Sequence, residues 1–214
     1  FRHRSTKGRL SMIQLMCYHG TSYEYAKSIL ASGHFKPSRD NEGLRLGEGA
    51  YFFCMGRSPE YAIGCARQLE MYHHHQGKHT GEYAILSCVV ECEETELFDM
   101  YRPECMELFH DMRYFLLAKH LKVNKDFAYA AAAVADTETM NYIRRSANIS
   151  VVKCPQFFGM FPRESEFKIS SRRQFPKTFV PNIVLVCADT EKARIKDIQL
   201  IEKGEFEDGS AEAV

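Results

Sequence analysis

Residues 17–53, CYHGTSYEYAKSILASGHFKPSRDNEGLRLGEGAYFF, constrain this chain more than any other stretch. An apolar run that starts at Met12 ends in Tyr18-His19-Gly20-Thr21, and an aromatic run starts at Ala50, after Leu46-Gly47-Glu48-Gly49. Between them Tyr25, Ala26, Ile29 and Leu30 recur at helical spacing. Thr21 or Ser22 is placed to cap that helix, Glu24 complements the dipole in its first turn, and Gly33 follows as a C-cap. The stretch reads as strand, helix, loop, strand. His19 ends the first strand and Tyr51 begins the second. Two strand ends and a glycine-bearing turn then border one pocket.

The remaining chain reads as scaffold and as a further pocket wall. With 214 residues, 45% of them hydrophobic, it can bury one sizeable core. Residues 1–10 read as a basic N-terminal arm, 11–204 as a single domain and 205–214 as a flexible acidic tail. Ser58 caps a helix through about Tyr72, with Ala62, Cys65, Ala66 and Leu69 on its buried face. Tyr83 to Cys92 is β-branched and apolar, a central strand, and Phe98-Asp99 ends a short one. Helical spacing over Glu104 to Leu121 and Asp126 to Arg145 marks a helical insertion at about 103–147. Ile149–Val152, Asn182–Ala188 and Ile195–Glu202 are strands, the last at an edge. Strands, then helices, then strands again suit an α+β fold.

Charge gives no global direction, since Lys+Arg and Asp+Glu both total 28. The eight cysteines include no CxxC pair, so they read as buried reduced thiols of a cytoplasmic protein, not as a disulfide framework or metal site. His73, His74, His75 and His79 read as solvated loop histidines, because three adjacent side chains of a regular element cannot all face one ion. No apolar run approaches the roughly 20 residues of a membrane span. The opening FRHRSTKGRL is followed by no signal-peptide core. A metal-free, cytoplasmic protein with no membrane partner is expected.

Order and spacing make the motifs specific. His19-Gly20-Thr21, then Ile29-Leu30-x-x-Gly33-His34-Phe35, then Gly47-x-Gly49-x-Tyr51-Phe52 and Tyr61-Ala62 resemble the donor pocket of ADP-ribosyltransferases. The branch is that of diphtheria toxin and the poly(ADP-ribose) polymerases, and the likeness is greatest to its small bacterial and phage-defence toxins. It covers roughly residues 15 to 70. The resemblance implies an ADP-ribosyltransferase-like fold, two packed antiparallel-rich sheets forming an NAD cleft. It implies transfer of single ADP-ribose units from NAD, the co-substrate, to a macromolecular acceptor, protein or nucleic acid. An antitoxin or regulatory partner is a further implication. A catalytically inactive module that binds NAD or ADP-ribose, and an NAD glycohydrolase, are the alternatives.

The residue types suit that chemistry. Breaking the nicotinamide–ribose bond builds positive charge on the ribose, so the site must hold both halves and tolerate an oxocarbenium-like state. The resemblance gives Gly20 a close backbone approach to the carboxamide and His19 a donor role toward a ribose hydroxyl. Tyr51 offers a face to nicotinamide, with Tyr61 as a second plate. Thr21 or Ser22 reaches a hydroxyl, Arg39 or Arg45 meets the pyrophosphate, and Gly49 completes the bordering turn. The family's third catalytic position is usually a glutamate at the start of a late strand. Asn182 stands there in this chain, with Glu164, Glu166 and Gln174 as alternatives in the preceding loop. An amide offers no negative charge, and polymer synthesis, which goes with that glutamate, is disfavoured. The loop also carries Phe161, Arg163, Arg172, Arg173 and Phe175, a composition that suits a nucleic-acid or protein acceptor.

Overall fold

Alternation along the strands sorts the core onto two faces of one sheet. The structure, a computed structural model, describes residues 11–38, 46–54, 58–123, 136–156 and 183–206. The strands are β1 (Met12–Ser22), β2 (Ala50–Cys54), β3 (Glu82–Glu93), β4 (Leu97–Asp99), β5 (Val151–Gln156), β6 (Ile183–Ala188) and β7 (Arg194–Glu205). The helices are α1 (Tyr23–Ser32), α2 (Pro59–His75), α3 (Pro103–Val123) and α4 (Asp136–Ala147). Cys17, Phe52, Leu86, Val90 and Val186 face α1, where Ala26 and Ile29 are buried. Tyr18, Phe53, Ile85, Leu185 and Cys187 face the other way. They meet Ala62, Cys65 and Ala66 of α2, Phe109 of α3, and Met140 and Ile143 of α4. Residues one apart on a strand point to opposite faces, which makes both faces apolar in the central strands.

The strand order is β4-β5-β6-β2-β1-β3-β7. β4 and β5 run parallel, and the other neighbours are antiparallel. This is an α+β architecture with a mixed sheet. The expectation of two packed sheets is corrected, because the described strands form one continuous ladder of seven strands. The reason is the junction of β6 with β2, paired from Ala50↔Ala188 to Cys54↔Val184, which joins the C-terminal strands to β1 and β3.

Caps set both ends of α1 and the start of α2. Ser22 Oγ accepts the Tyr25 N–H at 3.4 Å, and the Gly33 N–H closes α1 onto the Ile29 carbonyl at 2.7 Å. Ser58 Oγ accepts the Tyr61 N–H at 3.2 Å, and Pro59 opens α2. α2 runs past Tyr72 to His75, so the first three histidines belong to a helix and not to a loop. Residues 126–135 of the expected second insertion helix lie outside the described residues. At the C-terminus β7 extends through Glu205, and Phe206 is buried, its ring stacked on His74 at 4.3 Å. The domain thus reaches two residues beyond the expected tail boundary. None of the eight cysteines forms a disulfide, and six of them are buried. Among the described residues no helix is long and apolar enough to cross a membrane.

Candidate functional site

β1 and β2 lie side by side, with Tyr18 opposite Phe53. His19 follows, and its Nδ1 lies 2.8 Å from the Tyr51 backbone carbonyl. A carbonyl only accepts, so Nδ1 carries the proton and donates. On the neutral ring Nε2 is then left as an acceptor. The imidazole packs against Phe35 at 5.1 Å and Phe52 at 5.6 Å, ring centre to ring centre. It keeps some surface open, but desolvation among these rings pushes its pKa below the ordinary histidine value and favours the neutral form. The donor role expected toward a ribose hydroxyl is therefore inverted for this ring state: Nε2 would accept from the hydroxyl.

Phe35 brings the G-x-F segment against His19, and Phe35 and Phe52 meet edge to face at 5.0 Å. Beside Phe35 opens a cavity of about 270 Å³, lined by Gly33, His34 and Phe35 on one side and Thr190, Ala193 and Arg194 on another.

Gly20 is explained by packing. A Cβ there would come within 2.5 Å of the Ala66 carbonyl oxygen and 2.8 Å of Glu70 Cγ, so only glycine lets α2 lie on β1. The side from which a ligand would meet that missing Cβ is filled by the helix. Thr21 is buried and Ser22 is occupied as the α1 cap.

Tyr51 points away from His19. Its ring packs on the face covered by α2, α3 and α4, whereas His19 stands with Phe52 on the α1 face. Its hydroxyl donates to the Gly47 carbonyl at 2.7 Å and accepts the Leu46 N–H at 3.1 Å. Burial raises the phenol pKa well above its usual value. The two residues are thus joined through the Tyr51 backbone and not by side chains sharing one face.

The turn that Tyr51 closes is also held by α4. Asn141 Oδ1 accepts the Glu48 N–H at 2.9 Å, and Arg144 Nη1 donates to the Glu48 carbonyl. The same nitrogen lies 3.4 Å from Cys187 Sγ, and Arg144 is 6% exposed. Gly49 sits at φ +152°, and a Cβ there would come within 2.5 Å of the Ala188 carbonyl oxygen. Sequence reading missed Asn141 and Arg144. The available signal was an arginine directly after the buried Ile143, where helical periodicity asks for an apolar neighbour.

The ends of β2 differ in what they gather. β6 pairs antiparallel to it, so Cys187 stands opposite Tyr51 and Val184 opposite Cys54. The start of β6 therefore lies at the Cys54 end, from which the chain continues to Tyr61, exposed in the first turn of α2. Arg39, Arg45, Glu164, Glu166, Gln174 and Asn182 lie outside the described residues, as do Phe161, Arg163, Arg172, Arg173 and Phe175.

The solvated reading of the histidines is corrected for His73 and His79. Nδ1 of His73 is 3.2 Å from Glu70 Oε1, and Nδ1 of His79 is 2.5 Å from Oε2. Glu70 is 1% exposed. Burial alone would raise its pKa, but the two imidazole contacts outweigh that and hold the carboxyl at about 2. The cause is helix geometry, since residues three apart share a face and the 76–81 turn folds His79 back.

The chain matches no protein-family model and no solved structure. It is similar to an uncharacterized protein of Methanocaldococcus jannaschii, 30% identical over 109 residues, which are 50% of this chain and 47% of that protein. The chain spans about half the length of this curated relative.

Proposed function

We propose that the protein is an NAD-dependent mono-ADP-ribosyltransferase with an ADP-ribosyltransferase-like fold, a toxin or effector that modifies a protein or nucleic acid. The observation that supports it best is the meeting of three motif segments at His19. H-G-T supplies the ring, G-x-F packs Phe35 against it, and G-x-G-x-Y-F accepts its Nδ1 proton at the Tyr51 carbonyl. The neutral ring offers Nε2 to a hydroxyl, as the ribose of NAD would require. Asn182 stands in sequence one residue before β6, and β6 starts at the end of β2 that leads to Tyr61. In this reading Asn182 orients the ribose, Tyr61 stacks on nicotinamide and His19 meets the adenosine half. Eight thiols without a disulfide suit a reducing compartment, so the reading includes the cytoplasm.

Incubation with labelled NAD and cell extract tests it. Label that is lost with protease or with nuclease identifies the acceptor class. Free ADP-ribose alone indicates a glycohydrolase, and absence of turnover leaves a binding module.

A further inference from the structure

We propose that Glu70, His73 and His79 form a binding site for one divalent cation of the zinc class. The site joins the last turns of α2 to the turn that leads into β3. It departs from the metal-free expectation of the sequence and does not rest on the transferase reading.

The donor set is the first argument. One carboxylate oxygen and two imidazole nitrogens lie within 4.8 Å of one another. Nitrogen-rich sets of this kind suit zinc, cobalt and nickel, whereas magnesium and calcium take oxygen ligands in larger number. A tetrahedral zinc with bonds of about 2.0–2.1 Å sets its donors roughly 3.3 Å apart. The Glu70–His73 separation is already 3.2 Å, and the 2.5 Å Glu70–His79 contact needs to open by less than an ångström. The rings of His73 and His79 meet edge to face at 5.1 Å, so each keeps its own direction of approach.

Charge is the second argument. The Glu70 side chain is almost wholly buried, and among the described residues its ion-pair partners are these two histidines, with no lysine or arginine. Both imidazoles contact this carboxylate, and a buried carboxylate calls for a cation. A divalent ion bound at the carboxylate and at the two Nδ1 atoms supplies it, each ring then carrying its one proton on Nε2.

Support around the ligands is the third. His74 Nδ1 donates to the His79 backbone carbonyl at 2.9 Å, and the His74 ring is itself stacked on Phe206. That contact fixes the turn that carries His79, as outer groups do in metal sites. His73 and His79 are partly exposed, which leaves an entry path and room for a fourth ligand such as water. Glu70 Cγ lies under Gly20, so the ion would brace the helix against the H-G-T strand.

The test uses the full chain, treated with chelator and titrated with Co²⁺ and then Zn²⁺. The expected result is one equivalent bound, visible cobalt absorption of a four-coordinate ion without strong thiolate charge-transfer bands, and a higher Tm with Zn²⁺. His79→Ala and Glu70→Gln should abolish stoichiometric binding, and His75→Ala should leave it intact. Should Glu70→Gln fail to fold, His79→Ala at a partly exposed position decides the question. Substoichiometric binding by the wild type, binding that survives His79→Ala, or cobalt spectra of cysteine ligation would each overturn the proposal. NAD turnover plays no part in these readouts, so failure here leaves the proposed transferase untouched.

Discussion

His19 and Tyr51 are joined by a single hydrogen bond, Nδ1–H to backbone carbonyl at 2.8 Å, while their side chains leave the sheet on opposite faces. The strand that presents Tyr51 therefore also orients the imidazole. The phenol ring serves a second task, closing the 46–47 turn from the other side. A substitution that moves the β2 backbone would disturb both, whereas loss of the Tyr51 ring alone would leave the His19 contact in place.

The first prediction concerns acid. The folded-state pKa of His19 lies below its ordinary value of 6.5 because burial penalises the charged ring. The unfolded chain then binds more protons than the folded one as pH falls through and below about 6.5, so the contribution is present above that value and lost on acidification. His19→Gln removes this dependence. Its urea-denaturation midpoint should fall less between pH 7 and pH 5 than that of the wild type. Parallel profiles for the two proteins would show that His19 is not a buried neutral group.

The glycine turn should behave as a unit braced from two sides. Tyr51→Phe deletes the hydroxyl shared by Leu46 and Gly47 and should cost about 1–3 kcal/mol. Arg144→Ala removes a charged donor from the Glu48 carbonyl and should cost about 1.5–3 kcal/mol. Because both act on one turn, the double variant should cost less than the sum. Additive losses in chemical denaturation would mean that the two contacts are independent.

Local chemistry explains what could be read in advance. A hydroxyl followed by a helical apolar pattern placed the caps at Thr21 or Ser22 and at Ser58, the structure selecting Ser22 of the first two, and the run Tyr83 to Cys92 announced β3 through its β-branched residues. The end of α2 was misplaced because apolar periodicity stops at Tyr72, whereas helical geometry continues until the Gly77 turn. Non-local facts were out of reach. Whether His19 and Tyr51 share a face depends on strand register, and the meeting of Glu70 with His79 depends on a turn between them. Arg144 was invisible for a related reason: a buried guanidinium contradicts the binary pattern, and only the Glu48 and Cys187 partners make it intelligible.

Arg67 and Glu202 tie α2 to β7 through two parallel contacts, Nε to Oε1 and Nη2 to Oε2, each 2.5 Å, and Tyr83 donates to Glu202 at 3.0 Å. Arg67 is 42% exposed, so solvent screens the pair, and Arg67→Ala should cost only about 0.5–1 kcal/mol. Its bonds to Arg67 hold the Glu202 carboxyl below the usual range, outweighing burial. That stability is present above the unfolded carboxylate pKa and is lost as pH falls through the folded one. The penalty of Arg67→Ala in thermal unfolding should therefore shrink in strong acid. A penalty independent of pH would mean that Arg67 acts through packing alone.

The last prediction separates the candidates for the third catalytic position. Asn182 immediately precedes β6, and β6 enters the sheet opposite Cys54, at the end of β2 that runs on to Tyr61. Glu164 and Glu166 precede Asn182 in sequence, in a stretch whose residues show no strand period. If Asn182 orients the ribose in the proposed reaction, Asn182→Ala should lower transfer by the equivalent of one polar contact, about 1–3 kcal/mol or roughly tenfold to a hundredfold. Tyr61→Ala, on the same side of the proposed cleft, should weaken NAD use by a similar order through loss of a stacking face, about 0.5–1.5 kcal/mol beyond its area. Glu164→Gln and Glu166→Gln should leave NAD cleavage nearly intact and affect acceptor use alone. Steady-state NAD consumption and acceptor labelling, measured side by side on the four variants, distinguish these roles. An indispensable glutamate with a fully active Asn182→Ala would move the catalytic role from Asn182 to that glutamate.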